Sequence, residues 1–219
     1  MPINTEPRYV GRAWITPAGP VVAGATGSWT ITYEVGLYGY DEFARLKIAC
    51  RFASDWATPQ FTDPTAANYA TVRLESRSST TVAHLSWEPR GYIRPWFKCL
   101  VVSIRDGSLH PGDRVHVTIG DQSRGSRGSR AQTFRERGCE WRVLVDPFGT
   151  ELYSPLAGSP TLDIVGGDFH RLVVVAPTTV RPGEPFEALV KAEYVWGNPC
   201  ERFTGHVALD ARGAPIAGL

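Results

Sequence analysis

The chain has 219 residues, 42% hydrophobic and 21% charged, with a formal net charge of +1. That length can bury a substantial core in one large or two small domains, and the near-zero charge provides no global field to recruit nucleic acid or an anionic membrane. No apolar run approaches the roughly 18–20 residues of a membrane-spanning helix, so neither a membrane nor a nucleic acid is expected as a partner.

Met1 to Pro7 reads as a loosely attached lead-in. It lacks the basic stretch and apolar core of a secretory signal, which makes the cytoplasm the expected compartment. Gly11 to Ile15 is a short first strand, closed by Pro17-Ala18-Gly19-Pro20. Ser28 to Gly36 alternates, with Trp29, Ile31, Tyr33 and Val35 on one face and Thr30, Thr32 and Glu34 on the other. This is the period of a half-buried strand. Ala44 to Phe52 repeats it: Leu46, Ile48, Cys50 and Phe52 are expected inward, Arg45, Lys47 and Arg51 outward. A helix would spread those charges around its circumference.

Strands are next expected at Ala70 to Glu75 and Val82 to Trp87, joined by a polar hairpin tip from Ser76 to Thr81. Trp96 to Arg105 is the most apolar run and reads as a central strand covered on both faces. Further strands follow at Val115 to Ile119, Trp141 to Val145 and Leu162 to Ile164. Composition shifts at Gly166-Gly167-Asp168, a candidate domain boundary. Beyond it, Leu172 to Ala176, Phe186 to Tyr194 and a strand starting at His206 are spaced like the opening half of an immunoglobulin-like module. No helical periodicity is present. The expected fold is therefore all-β: an antiparallel β-sandwich over residues 1–167 with a long 51–69 loop, followed by a partial immunoglobulin-like β module over 168–219.

The 51–69 loop is the chain's most unusual stretch, because two prolines forbid regular pairing while aromatics continue. Connections beyond about 12–15 residues are uncommon and are often functional. Its candidate binding residues are Arg51, Asp55, Trp56, Gln60, Phe61 and Tyr69, a mixture that suits stacking on a sugar or base. The competing role is structural and takes precedence, since a loop this long must be anchored; Asp55 and Asp63 would then cap turns. A second aromatic cluster, Trp87 to Trp96, adds Arg90, Arg94 and Trp96, with cation–π stacking as its rigidifying device. Ser123 to Arg130 concentrates arginine on a glycine-serine scaffold; its guanidinium and amide donors suit a phosphate, but the reading that takes precedence is a mobile, solvated hairpin loop with no nucleic-acid role.

Catalytic and metal signals are sparse. The five histidines are scattered without a ligand spacing, and Asp41, Asp55, Asp63 and Asp106 lack the dense pattern of a calcium loop. None of the four cysteines forms a C-x-x-C pair. Cys50 reads as a small buried residue, with a Cys50–Cys99 disulfide as the open alternative.

Arg51-Phe52-Ala53-Ser54-Asp55-Trp56, Pro59-Gln60-Phe61 and Asp63-Pro64 to Asn68-Tyr69 resemble the N-terminal region of a family of large bacterial proteins, the domain-of-unknown-function family three-six-zero-four. The resemblance continues through Gly27-Ser28-Trp29-Thr30, Pro89-Arg90-Gly91, Arg94-Pro95-Trp96, Asp106-Gly107-Ser108-Leu109, Pro111-Gly112-Asp113, Arg130 to Phe134 and Trp196-Gly197-Asn198-Pro199. It implies a non-catalytic β-rich portion that docks or orients a C-terminal metal-dependent-hydrolase-like domain. The partner is then the downstream domain of the same polypeptide, and the implied metal belongs to that domain, with no cofactor in this chain. The alternative is a free-standing module that binds a glycan or a protein through the aromatic loops. Self-association through the exposed face of 168–219 is a further expectation.

Overall fold

The structure, a computed structural model, describes residues 3–208. It contains a helical turn α1 (Pro7–Val10) and strands β1 (Arg12–Thr16), β2 (Val21–Val22), β3 (Thr26–Gly27), β4 (Trp29–Glu34), β5 (Arg45–Cys50), β6 (Ala70–Glu75), β7 (Val82–Glu88) and β8 (Lys98–Arg105). These are followed by β9 (Arg114–Ile119), β10 (Ser129–Arg130), β11 (Glu136–Glu140), β12 (Arg142–Asp146), β13 (Ser154–Pro155), β14 (Thr161–Val165), β15 (Arg171–Val175) and β16 (Leu189–Glu193). The fold is all-β and sandwich-like. The α1 turn is the exception to the absence of helix; four residues opened by a proline are too short to show a period. The chain divides into two compact units, Met1–Val165 and Gly166–Leu219.

The first unit is built on two antiparallel sheets, one in the order β1-β4-β9-β6 and the other β13-β12-β5-β8-β7. Alternation fixes what each contributes to the core. Trp29, Ile31 and Tyr33 of β4 and Val115, Val117 and Ile119 of β9 are buried, as are Leu46, Ile48 and Cys50 of β5 and Leu100, Val102 and Ile104 of β8. Each buried Leu, Ile or Val contributes about 1.5–3 kcal/mol. Ile119 of one sheet and Cys50 and Leu100 of the other line the same 10 Å³ gap, so the two sheets meet there.

The second sheet is also covered on its outer side, where Ala49, Cys99, Val101 and Leu144 pack with Trp96, Tyr92 and Tyr153. This explains why β8 is buried at successive positions. It also corrects the outward placement of Lys47. That residue does point away from the inter-sheet core, but it is 6% exposed. Its ammonium donates to Glu88 Oε2 at 2.9 Å and to the Gly91 carbonyl at 2.6 Å, and lies 4.4 Å from the Tyr153 ring centroid. Phe52 is corrected in the opposite sense: β5 ends at Cys50, and the Phe52 ring is exposed beneath Arg94.

Two further expectations change. Ser76 to Thr81 is a crossover between sheets, because β6 pairs with β9 while β7 pairs with β8. Asp113 holds it, accepting the Ser76 hydroxyl at 2.8 Å and the Arg77 N–H at 3.3 Å. The arginine-rich stretch is pinned at its far end, where Ser129 and Arg130 pair with Gly27 and Thr26 and both Ser126 and Ser129 are buried. Cys50, Cys99, Cys139 and Cys200 are all free thiols. Cys99 lies opposite Ala49, so Cys50 projects to the other face of the sheet and cannot bridge to it.

In the second unit β15 and β16 form an antiparallel ribbon with Val174 opposite Val190 and Leu172 opposite Ala192. Residues 206–208, where a third strand was expected to begin, are not in a strand, and Leu209 lies outside the described residues.

Candidate functional site

The 51–69 loop is ordered by its own side chains. Gln60 is the hub: its Oε1 accepts the N–H groups of Thr62 and Asp63, each at 3.0 Å, and its Nε2 donates to the Asp63 carbonyl at 2.7 Å. Asp63 in turn accepts the Thr65 N–H at 2.9 Å and hydroxyl at 2.7 Å, closing an Asx turn. Asp55 ties the loop to a distant segment, accepting the Thr133 N–H at 2.8 Å and hydroxyl at 2.7 Å. Burial pushes the Asp55 pKa up, but the Thr133 hydrogen bonds and the Arg130 guanidinium outweigh it and hold it below the usual carboxylate value.

Trp56 lies edge-on between Trp29 and Trp141, with centroids 5.0 and 5.1 Å away, and is 7% exposed. Trp96 is buried in the outer-face cluster, with the guanidinium carbons of Arg142 and Arg51 at 4.1 and 5.4 Å from its ring centroid. Arg51 also pairs with Glu136 at 3.3 Å. Arg94 covers the Phe52 and Phe97 rings at 5.4 and 5.7 Å, Arg90 is exposed, and Phe61 is half-buried. The structure therefore does not assemble these residues into one stacking platform. Trp56 and Trp96 present no open ring face, and Arg51, Asp55 and Gln60 are engaged internally.

Tyr69 reaches a different surface, the outer face of the β1-β4-β9-β6 sheet. Register brings three polar rows together there. Trp14, Thr32, His116 and Arg73 are successive cross-strand partners, as are Thr16, Thr30, Thr118 and Thr71, and Arg12, Glu34, Arg114 and Glu75. The third row is charge-balanced, with Arg12–Glu34 at 2.8 Å, Arg114–Glu34 at 3.1 Å and Arg114–Glu75 at 3.5 Å. His116 bridges rows, its Nδ1 3.0 Å from Thr32 Oγ1 and its Nε2 3.2 Å from Glu75 Oε2.

At one end of this face is a groove of about 450 Å³, floored by Thr30, Thr71 and Thr118 and walled by Tyr69, Arg73, Asp121 and Arg124. Asp121 accepts the Thr71 hydroxyl at 2.7 Å and the Ser123 N–H at 2.9 Å. Burial opposes its charge, but these bonds and the neighbouring Arg124 outweigh burial and lower its pKa. Arg73 and Arg124 are exposed, and neither makes a hydrogen bond or ion pair among the described residues. Apart from Tyr69 and Arg124, the latter within the arginine-rich segment, these residues were not singled out by sequence. Their signal is the polar phase of three alternating strands, which becomes a surface only when β4, β9 and β6 are known to be neighbours.

No protein-family model and no curated protein matches the chain. Among the described residues, no three or more His, Cys, Asp or Glu side chains are grouped so as to hold a metal ion. No helix among the described residues is long and apolar enough to cross a membrane.

Proposed function

We propose that this chain is the non-catalytic N-terminal β-rich portion of a member of family three-six-zero-four, docking or orienting a downstream metal-dependent-hydrolase-like domain of the same polypeptide in the cytoplasm. The observation that carries this reading is the apolar surface of the second unit. Val174, Val175, Phe186 and Leu189 are 53%, 54%, 54% and 64% exposed on or beside a ribbon of two paired strands. Val174 lies on one face of the ribbon and Val175 with its partner Leu189 on the other; a two-stranded ribbon is at best marginally stable alone, and large apolar side chains left exposed on both faces mark where further chain would pack. Further immunoglobulin-like strands or the downstream domain would cover them.

Amide hydrogen exchange tests the proposal by comparing this chain with a longer polypeptide that continues past Leu219. Protection over residues 171–193 is expected to rise in the longer polypeptide. Full protection of those amides in a monomer of the present chain would overturn the docking role.

A further inference from the structure

We infer that the groove on the outer face of the β1-β4-β9-β6 sheet binds a carboxylated saccharide, an activity separate from the docking role because it lies wholly within the first unit. Three features define the ligand. The first is charge: Arg73 and Arg124 line the groove, and although Arg124 also faces the Asp121 carboxylate, that single carboxylate takes its hydrogen bonds from Thr71 and Ser123, so the two guanidinium groups outnumber it and keep their donors. A planar guanidinium matches a carboxylate with two parallel donors.

The second feature is the floor. Thr30 and Thr118 share one hydrogen bond at 2.9 Å, so their two hydroxyl protons are not both consumed. Thr71 uses its proton on Asp121 and retains lone pairs. A rigid sheet therefore presents both donors and acceptors at cross-strand spacing, which suits the vicinal hydroxyls of a sugar. The third feature is the wall: half-buried Tyr69 lines the groove, and an amphipathic aromatic side chain suits the face of a pyranose. A volume of about 450 Å³ falls within the usual 300–1,000 Å³ of small-ligand sites. Two cations in a chain of net charge +1 do not make the extended basic track that nucleic acid requires.

Isothermal titration of the full chain with tetragalacturonate at low salt tests the inference, with cellotetraose, inorganic phosphate and a short single-stranded DNA as comparison ligands. Saturable binding of tetragalacturonate is expected, weakened about tenfold in Arg73→Ala and in Arg124→Ala, as follows from losing one charge-assisted pair. Both residues are exposed, so thermal denaturation should show the variants folded, and Arg94→Ala should bind like the parent. The inference fails if tetragalacturonate gives no heat at millimolar concentration, or if the two variants bind unchanged. It also fails if phosphate or DNA binds as tightly, which would identify a general anion patch.

Discussion

Trp56 shows what a single side chain does here. Its ring closes one end of the core between Trp29 and Trp141, while its indole nitrogen is buried without an acceptor. Trp56→Ala should therefore cost about 3–5 kcal/mol in urea unfolding, and Trp56→Phe clearly less, because no hydrogen bond is lost. Asp55, Asp113 and Asp121 have lowered pKa values in the fold. Between those values and about 3.9, the unfolded carboxyl value, the unfolded chain binds more protons. Stability is accordingly full above about pH 4 and falls as pH drops through the folded values. Urea midpoints measured at successive pH values should show this acid limb, and Asp113→Asn should flatten it. The thiols act at the other extreme. Burial pushes Cys50 and Cys139 up to about 12 and Cys99 up to about 11. Their contribution is present below the unfolded thiol value of about 8.5 and is lost as pH rises toward the folded ones. A thiol-specific disulfide reagent at pH 8 should label these three cysteines only after denaturant is added.

At the scale of elements, the 51–69 loop and the 121–130 segment form one construction. The Ala57 N–H donates to the Arg130 carbonyl at 3.0 Å, Asn68 N–H to the Gly128 carbonyl at 2.9 Å, and Asp121 N–H to the Tyr69 carbonyl at 2.7 Å. Gly120 sits at the junction with φ of +74°, and a Cβ there would collide with the Ser129 nitrogen and the Gly27 carbonyl. Gly120→Ala combines left-handed backbone strain of about 1–2 kcal/mol with that collision. It should lower the melting temperature and open the 51–69 loop to limited proteolysis. In the parent chain the loop should resist cleavage, since Gln60, Asp63 and Asp55 anchor it throughout.

At the scale of the molecule, the two units differ in how their strands are supported. β5 and β8 lie inside a five-stranded sheet covered on both faces, whereas among the described residues β15 and β16 form a two-stranded ribbon extended by one isolated bridge, Glu193 to Pro199. Amide exchange from β15 and β16 should accordingly be faster than from β5 and β8, because local opening of a ribbon exposes little additional apolar surface. Equal, global-level protection in both units would contradict this account of the second one.

Alternation in the sequence was sufficient to locate β4, β5, β6 and β9, because strand side chains alternate faces whatever their partners are, and the most apolar run located β8. It could not say which polar face is covered. Lys47 carries the same signal as Arg45, yet it is buried because Glu88 and Gly91, more than forty residues away, reach it. The loop aromatics were visible as an anomaly, but whether Trp56 faced a ligand or the core depended on Trp29 and Trp141. The groove was invisible for the same reason: Thr30, Thr71, Arg73 and Thr118 are ordinary solvent-facing residues on their own strands. Sequence sets the phase of each strand, while pairing order and register decide which phases become a core, a plug or a binding surface.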